Sequence, residues 1–371
     1  MLLEHPNGGQ VLSSGRELER VEWRPGDPGD PAALLQALLD EHGLGGQAGR
    51  GSGSTRVEVL LGAVACARIA GLPEGAPSPV PAVPELVAIA RAAGARPASQ
   101  RRPASTGAWT TSWTDAEHAA AVEVVRAAIA RGDVYQANVV GHRWAPHRAD
   151  PRDLAAAVAA LPGATYAATA SGSGWAVGCA SPEQLVRVVG ERVTTVPIKG
   201  TLAVAPGSDA ALRDSLKDRA EHVMIVDLER NDLSQVAVTG SVEVEELFAL
   251  QEWSGLWQAR STVAARLLPD ATVLDVLRAV VPGGSVTGAP KRAACALLAG
   301  LEPVGRGPAM GALGVITASG LDLGLTIRTL AADEDGAHLW AGGGITWSSD
   351  PEAEVEEAHA KAGPVVAALQ R

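Results

Sequence analysis

From residue 114 onward, two hydrophobic periods alternate along the chain. Thr114 and Glu117 form a capping box ahead of AEHAAAVEVVRAAIARG, which predicts a helix closed by Gly132. Strand-like runs follow: YQANVVGHRW, ATYAATAS, GWAVGCAS, and a hairpin EQLVRVVGERVTTVPI turning at Gly190. DAALRDSLKDRAEHVMIVDLERNDL reads as one long helical segment. SVEVEELFAL, GALGVITAS, LDLGLTIRTLAA and AHLWAGG read as strands, and TVLDVLRAVV and PKRAACALLAGL as helices. A last helix starts after Asp350 as N-cap, with Pro351 at its first position. Strands outnumber helices and several are hairpin neighbours, so the pattern predicts an α+β fold with antiparallel sheets rather than a Rossmann sheet.

The first hundred residues differ. Residues 45–54, 73–85 and 96–107 are rich in Gly, Ser and Pro and read as loops or linkers. Between them PAALLQALLDEHG predicts a short helix closed by Gly43, and RVEVLLGAVACARIA one or two apolar strands. The formal charge of −11 argues against a nucleic-acid coat or an anionic-membrane binder, but not against an anionic small substrate. No apolar stretch reaches the length of a membrane span, and MLLEHPNGGQ lacks the pattern of a signal peptide. Cys66, Cys179 and Cys295 are far apart among small apolar residues, which predicts buried thiols rather than a disulfide scaffold or zinc ribbon. A reduced, cytoplasmic protein is expected.

Six segments carry chemistry. In PIKGT, residues 197–201, Lys199 stands between a strand-like run and a Gly-Thr turn. It is either a solvated strand-end charge or a desolvated amine able to act as nucleophile or base. DPEAEVEEAHAKA, residues 350–362, places Glu352, Glu354, Glu356 and Glu357 at a helix start. They either complement the helix dipole or, as an i, i+3 pair, hold one hard divalent cation. Glu354 and Glu357 lie on one flank of the stripe Val355, Ala358, Ala362, Val365, Val366 and Leu369; Glu352 and Glu356 lie on the other, and spacing does not choose between them. In KDRAEHVMIVDLERND, residues 217–232, Glu221 is either paired with Lys217 four residues earlier or a further metal carboxylate. PGGSVTGAPK, residues 282–291, is a glycine-rich loop running into a helix, suited to a carboxylate or phosphate, and it is not the GxxxxGK[ST] of an ATP site. Arg328 in TIRT beside the glycines of AGGGIT would clamp a carboxylate.

In order and number, GDVYQAN, SPEQL, PIKGT, KDRAEHVMIVDLERNDL, PGGSVTGAPK, TIRT and GGGITWSSDPEAEVEEAHAKA resemble the chorismate-binding enzyme family. Within it they resemble the branch of aminodeoxychorismate synthase component I and anthranilate synthase component I. The resemblance runs over residues 114–371, expected as a catalytic domain; residues 1–110 match poorly and are expected as a shortened N-terminal subdomain. It implies two facing antiparallel β-sheets with helices outside and a deep central cleft, chorismate as substrate and Mg2+ as cofactor. Carried over by motif, the magnesium ligands are Glu221, Glu354 and Glu357, which selects one flank of the last helix. Gly200, Thr201, Thr287, Arg328, Gly342, Gly343 and Gly344 are the implied holders of substrate carboxylates.

Two positions bear on the branch. Relatives that make isochorismate or salicylate carry a lysine base where Gln136 stands here. Anthranilate synthases typically read PIAGT, whereas aminodeoxychorismate synthases commonly read PIKGT, the form that Lys199 gives this chain. The implied roles are Lys199 as nucleophile on ring carbon C2 and Glu183 of SPEQL as general acid. Alternatives are anthranilate synthase component I, or a weakly active paralogue serving an amidotransferase, since Ala309 and Gln258 replace an aromatic residue and a histidine of the family pattern. No GxCxG-type nucleophile segment is present, so the implied ammonia source is a separate glutamine amidotransferase subunit.

Overall fold

The alternation of side chains along a strand decides how the layers stack. In the Gln136–Ala145 strand, Ala137 and Val139 join a cluster with the helices Asp115–Arg131 and Lys291–Ala299, while Val140 faces the main core. In Ala337–Ile345, Leu339 and Ala341 pack against Pro151–Ala159 and Pro351–Leu369, while Trp340 points the other way into the main core. Helices therefore cover one face of this sheet, and the second sheet covers the other.

The computed structural model of the protein describes residues 15–49, 54–92, 102–253 and 256–370. The N-terminal ten-residue stretch, part of the 45–54 stretch and the start of the 96–107 stretch lie outside the described residues, as do the side chains of Thr201 and Lys217, and with the latter the expected Lys217–Glu221 pair. Among the described residues there are a ten-stranded and a seven-stranded sheet, with all pairings antiparallel. The expected α+β class with two antiparallel sheets and flanking helices is what the chain adopts. The N-terminal strands Glu17–Trp23, Leu86–Arg91 and Arg56–Leu61 extend the larger sheet through Ala312–Thr317. The sheets meet over a shared core in which Val140, Val177 and Trp340 of the smaller pack with Leu185, Val186 and Leu323 of the larger.

Several local expectations hold. Thr114 and Glu117 form the capping box, Gly132 closes that helix in the left-handed region, and Asp350 caps the last helix. The hairpin at Gly190 joins Gln184–Val189 to Arg192–Val196. Four differ. RVEVLLGAVACARIA is the strand Arg56–Leu61 followed by the helix Ala63–Ile69, because the Glu85 carboxylate accepts the Val64 N–H and satisfies the helix start from a distant segment. The long helical segment breaks at Ser215, which is extended and caps Leu216–Ser234 through the Asp218 N–H. LDLGLTIRTLAA is two strands, Gly320–Leu325 in the larger sheet and Thr329–Ala332 in the smaller, with Arg328 between them at φ 49°. Cys295 is only partly buried, unlike Cys66 and Cys179.

One buried ion pair ties the layers together. Arg306 Nε and Nη2 donate to Glu302 at 2.8 and 2.6 Å, Nη1 donates to Val286 O at 2.7 Å, and Nη2 also donates to Asn138 O at 2.6 Å. Glu302 Oε1 in turn accepts the Val140 N–H at 3.1 Å. The pair thereby joins the glycine-rich segment to the Gln136–Ala145 strand. Arg306→Met leaves the Glu302 charge buried without its cation, so urea unfolding should show a loss of about 3–5 kcal/mol. Adding Glu302→Leu should recover only part of that loss, because Asn138 O, Val286 O and Val140 N–H are then left without these partners.

Candidate functional site

The chain crosses between the sheets twice at one place, and each crossing leaves a charged residue there. Ala176–Ser181 of the smaller sheet passes through Pro182 and Glu183 into Gln184–Val189 of the larger. Gly320–Leu325 returns through Thr326, Ile327 and Arg328 to Thr329–Ala332. The two crossings are bonded to each other, Leu325 N–H to Glu183 O at 3.1 Å and Ala180 N–H to Arg328 O at 3.2 Å. Glu183 is buried. Burial raises its pKa, against the opposing effects of the Ser285 hydroxyl and the Lys199 charge. Arg328 is half-buried, and among the described residues no acid forms a salt bridge with it; the Glu183 charge opposes the lowering that burial imposes on its guanidinium.

Lys199 comes from the Ile198–Ala203 strand, which pairs with Leu256–Arg266 and carries a bulge at Gly200. Gly200 has φ 71°, and a Cβ there would sit 2.8 Å from Leu212 Cδ1, so both conformation and space call for glycine. Burial pushes the Lys199 amine down, helped by the Lys361 charge and opposed by Glu221, Glu183 and Glu357.

The glycines at 342–344 let groups on the two faces of one strand approach the same backbone. A Cβ on Gly344 would lie 3.0 Å from Lys199 Nζ and 2.0 Å from Gln136 Nε2. On Gly343, one residue along and on the opposite face, it would lie 2.8 Å from Glu354 Oε2 and 3.7 Å from Glu357 Oε1. Of the four glutamates at the start of the last helix only Glu354 is buried; Glu352, Glu356 and Glu357 are exposed, Glu357 on the flank of Glu354. Glu354 accepts from Ser349 Oγ at 2.7 Å, Glu357 pairs with Lys361 at 2.5 Å, and Glu221 accepts from Thr346 Oγ1 at 3.3 Å. Lys361 also donates to Gly342 O at 2.9 Å. Carboxylates are the right donors for Mg2+. Among the described residues, however, no three His, Cys, Asp or Glu side chains stand close enough together to hold a metal ion as a group.

The glycine-rich segment behaves differently from an anion cradle. Its residues 282–289 are buried, and Thr287 Oγ1 donates to Gly283 O at 2.8 Å. Thr287 lines a cavity of about 60 Å³ shared with Cys295, Leu298 and Arg306.

Four neighbours of Lys199 or Glu183 escaped the sequence reading as site residues. Both amide atoms of Gln136 are buried without a hydrogen-bond partner among the described residues. His222 is buried beside Lys199, with Nε2 2.6 Å from Ser261 Oγ and a pKa lowered to about 4 by burial and then by the Lys199 charge. Lys361 lies four residues after Glu357 on the same helix, a spacing that signals the pair. Ser285 donates to Glu183 Oε1 at 2.7 Å, across a sequence distance that no local pattern reveals.

The profile of the chorismate binding enzymes matches residues 78–367. The chain belongs to the chorismate binding enzyme family. Anthranilate synthase component 1 of Streptomyces coelicolor is 38% identical over 286 residues, covering 74% of this chain and 56% of that protein. Aminodeoxychorismate synthase component 1 of Salmonella typhimurium is 36% identical over 284 residues, covering 73% of this chain and 63% of that protein. The aligned part thus spans little more than half of these chorismate binding enzymes. Among solved structures of the fold, anthranilate synthase component I of Streptococcus pneumoniae superposes with a TM-score of 0.79 at 23% identity, covering 95% of this chain and 90% of that one.

The chain has four lysines, at 199, 217, 291 and 361. After reductive methylation with 13C-formaldehyde, with Lys199→Arg assigning the signal, the Lys199 resonance should titrate below the ordinary range of a lysine amine. Titration within the ordinary range would show that Lys199 is solvated.

Proposed function

We propose that the protein is an aminodeoxychorismate synthase component I, converting chorismate and ammonia to 4-amino-4-deoxychorismate and water. The observation that carries this is the placement of the half-buried Lys199 amine, whose pKa desolvation lowers, against Gly344, with Glu183 and Arg328 at the adjoining sheet crossings. The neutral Lys199 amine attacks ring carbon C2; the ring double bonds shift and the C4–O bond breaks. Glu183 gives its proton to the departing hydroxyl, which leaves as water. Ammonia then adds at C4, the double bonds shift back, and the C2–N bond to Lys199 breaks. The new ammonium returns a proton to Glu183, so both groups end as they began. Arg328, half-buried without an acid salt-bridged to it among the described residues, suits a substrate carboxylate. The absence of side chains at Gly343 and Gly344 is what brings Glu354 and Lys199 up to the same strand.

Glu221, Glu354 and Glu357 remain the carboxylates proposed for Mg2+ by their donor chemistry; among the described residues they do not stand together as one group in this structure, and no step of the reaction above runs through the metal. The ammonia source in this proposal is a separate glutamine amidotransferase subunit; the component 1 names of the relatives imply only that those proteins have a second component.

Similarity to an anthranilate synthase at 38% identity favours a second reading, direct amination at C2 to anthranilate. Chromatography of the product from chorismate, Mg2+ and ammonium separates the two. Wild type should give 4-amino-4-deoxychorismate, and Lys199→Ala should lose that product by orders of magnitude. Anthranilate from the wild type would replace the proposal by its rival. Undiminished 4-amino-4-deoxychorismate from Lys199→Ala would remove the lysine from the chemistry.

A further inference from the structure

The glycine-rich segment 282–291 lies within the stretch that matches the family, yet its hydroxyls do not open toward a ligand. What it does present is Ser285, whose Oγ–H donates to Glu183 Oε1 at 2.7 Å with both residues buried. The segment is fixed on several sides. Arg306 Nη1 holds Val286 O at 2.7 Å, and Thr287 Oγ1 closes on Gly283 O at 2.8 Å. Gly283 and Gly284 press against neighbours that leave no room for a side chain. A Cβ would meet Leu325 Cδ2 at 2.7 Å in the first case and Leu228 Cδ2 at 2.5 Å in the second. These glycines let the segment wedge between the Leu216–Ser234 helix and the sheet, and the wedge delivers one hydroxyl to one carboxyl oxygen.

We infer that Ser285 is the positioning residue of Glu183: its donated hydrogen bond fixes the carboxyl plane and keeps Oε1 as an acceptor, so that the acid proton resides on Oε2. The inference deepens the proposed function and rests on Glu183 being the acid of that reaction. A carboxyl that loses this bond can rotate and place its proton on either oxygen, and an acid aimed wrongly by a fraction of an ångström loses much of its effect. The bond also favours the ionised form, because a donor stabilises a carboxylate more than a neutral acid. Other groups act on the same carboxyl. Lys199 from its strand, Lys361 from the last helix and Arg328 from the neighbouring crossing favour ionisation, as does the Ile198 amide, while Glu229 from the Leu216–Ser234 helix opposes it. Ser285→Ala leaves all of these in place.

Two measurements on the full chain test this. The first needs no substrate: infrared titration of the carboxylic C=O band assigned to Glu183 by its absence in Glu183→Gln. In Ser285→Ala the midpoint should move up by about one pH unit, and Ser285→Thr should restore it. The second is the pH profile of turnover with chorismate and ammonium. In Ser285→Ala, kcat should fall at least about tenfold with KM little changed, and the alkaline limb should move up with the infrared midpoint. If the wild type turns over no chorismate, the proposed function fails while the infrared midpoint still decides the role of Ser285. An unmoved midpoint overturns the inference. So does a turnover loss in Ser285→Ala that lies wholly in KM or that Ser285→Thr fails to rescue.

Discussion

The guanidinium of Arg306 is the constraint on which the rest of the structure depends. It is buried, its charge is met by Glu302, and its remaining donors reach the carbonyls of Val286 and Asn138. Those carbonyls belong to segments far apart in sequence, the glycine-rich wedge and the strand that carries Gln136. A buried ion pair is weak as a source of stability but strict about geometry, since every missing partner leaves a desolvated polar group. The pair therefore sets the wedge's position against the sheet, and through the wedge the position of Ser285 against Glu183. Neighbouring bonds extend the same frame: Trp340 Nε1 donates to Gly305 O at 3.1 Å, and the Ala63 N–H to Gly307 O at 2.8 Å.

Around that frame, the site follows from two properties of β-structure. The first is that a strand changing sheets must break its pairing, so the residues at the break turn their side chains into the space between layers. Glu183 and Arg328 occupy such breaks, side by side. The second is that neighbouring residues on a strand face opposite ways. Side chains at 343 and 344 would wall off the last helix from the core side. Glycines there bring the Glu354–Glu357 pair and the Lys199 amine to opposite faces of one stretch of backbone.

Local signals were readable in the sequence. The capping box at Thr114, the hairpin at Gly190 and the Asp350–Pro351 helix start involve residues within a few positions of one another, and all are present. Long-range effects were not. The helix Ala63–Ile69 starts where it does because of Glu85, and nothing in the run of Val, Leu and Ala anticipates that. The strand Leu256–Arg266 hides because its buried positions include Gln258 and Ser261, which spoil the apolar alternation. The break at Arg328 needs a left-handed backbone at a residue type that rarely adopts one. At the site, motif resemblance picked out Lys199, Glu183 and the glutamate pair. It gave the glycine-rich segment a ligand-binding role that the bond from Thr287 to Gly283 does not support, and it missed Ser285, whose importance lies in a contact with a residue 102 positions away.

The central claim is that these elements converge to expose one deprotonated lysine amine to an electrophilic ring carbon. Peptide mass spectrometry of the wild-type protein, incubated with chorismate and Mg2+ in the absence of ammonia, tests it most directly. A covalent adduct confined to the peptide that contains Lys199 is the expected result. Saturating chorismate that leaves this peptide unmodified, or an adduct formed instead on Lys291 or Lys361, would contradict it.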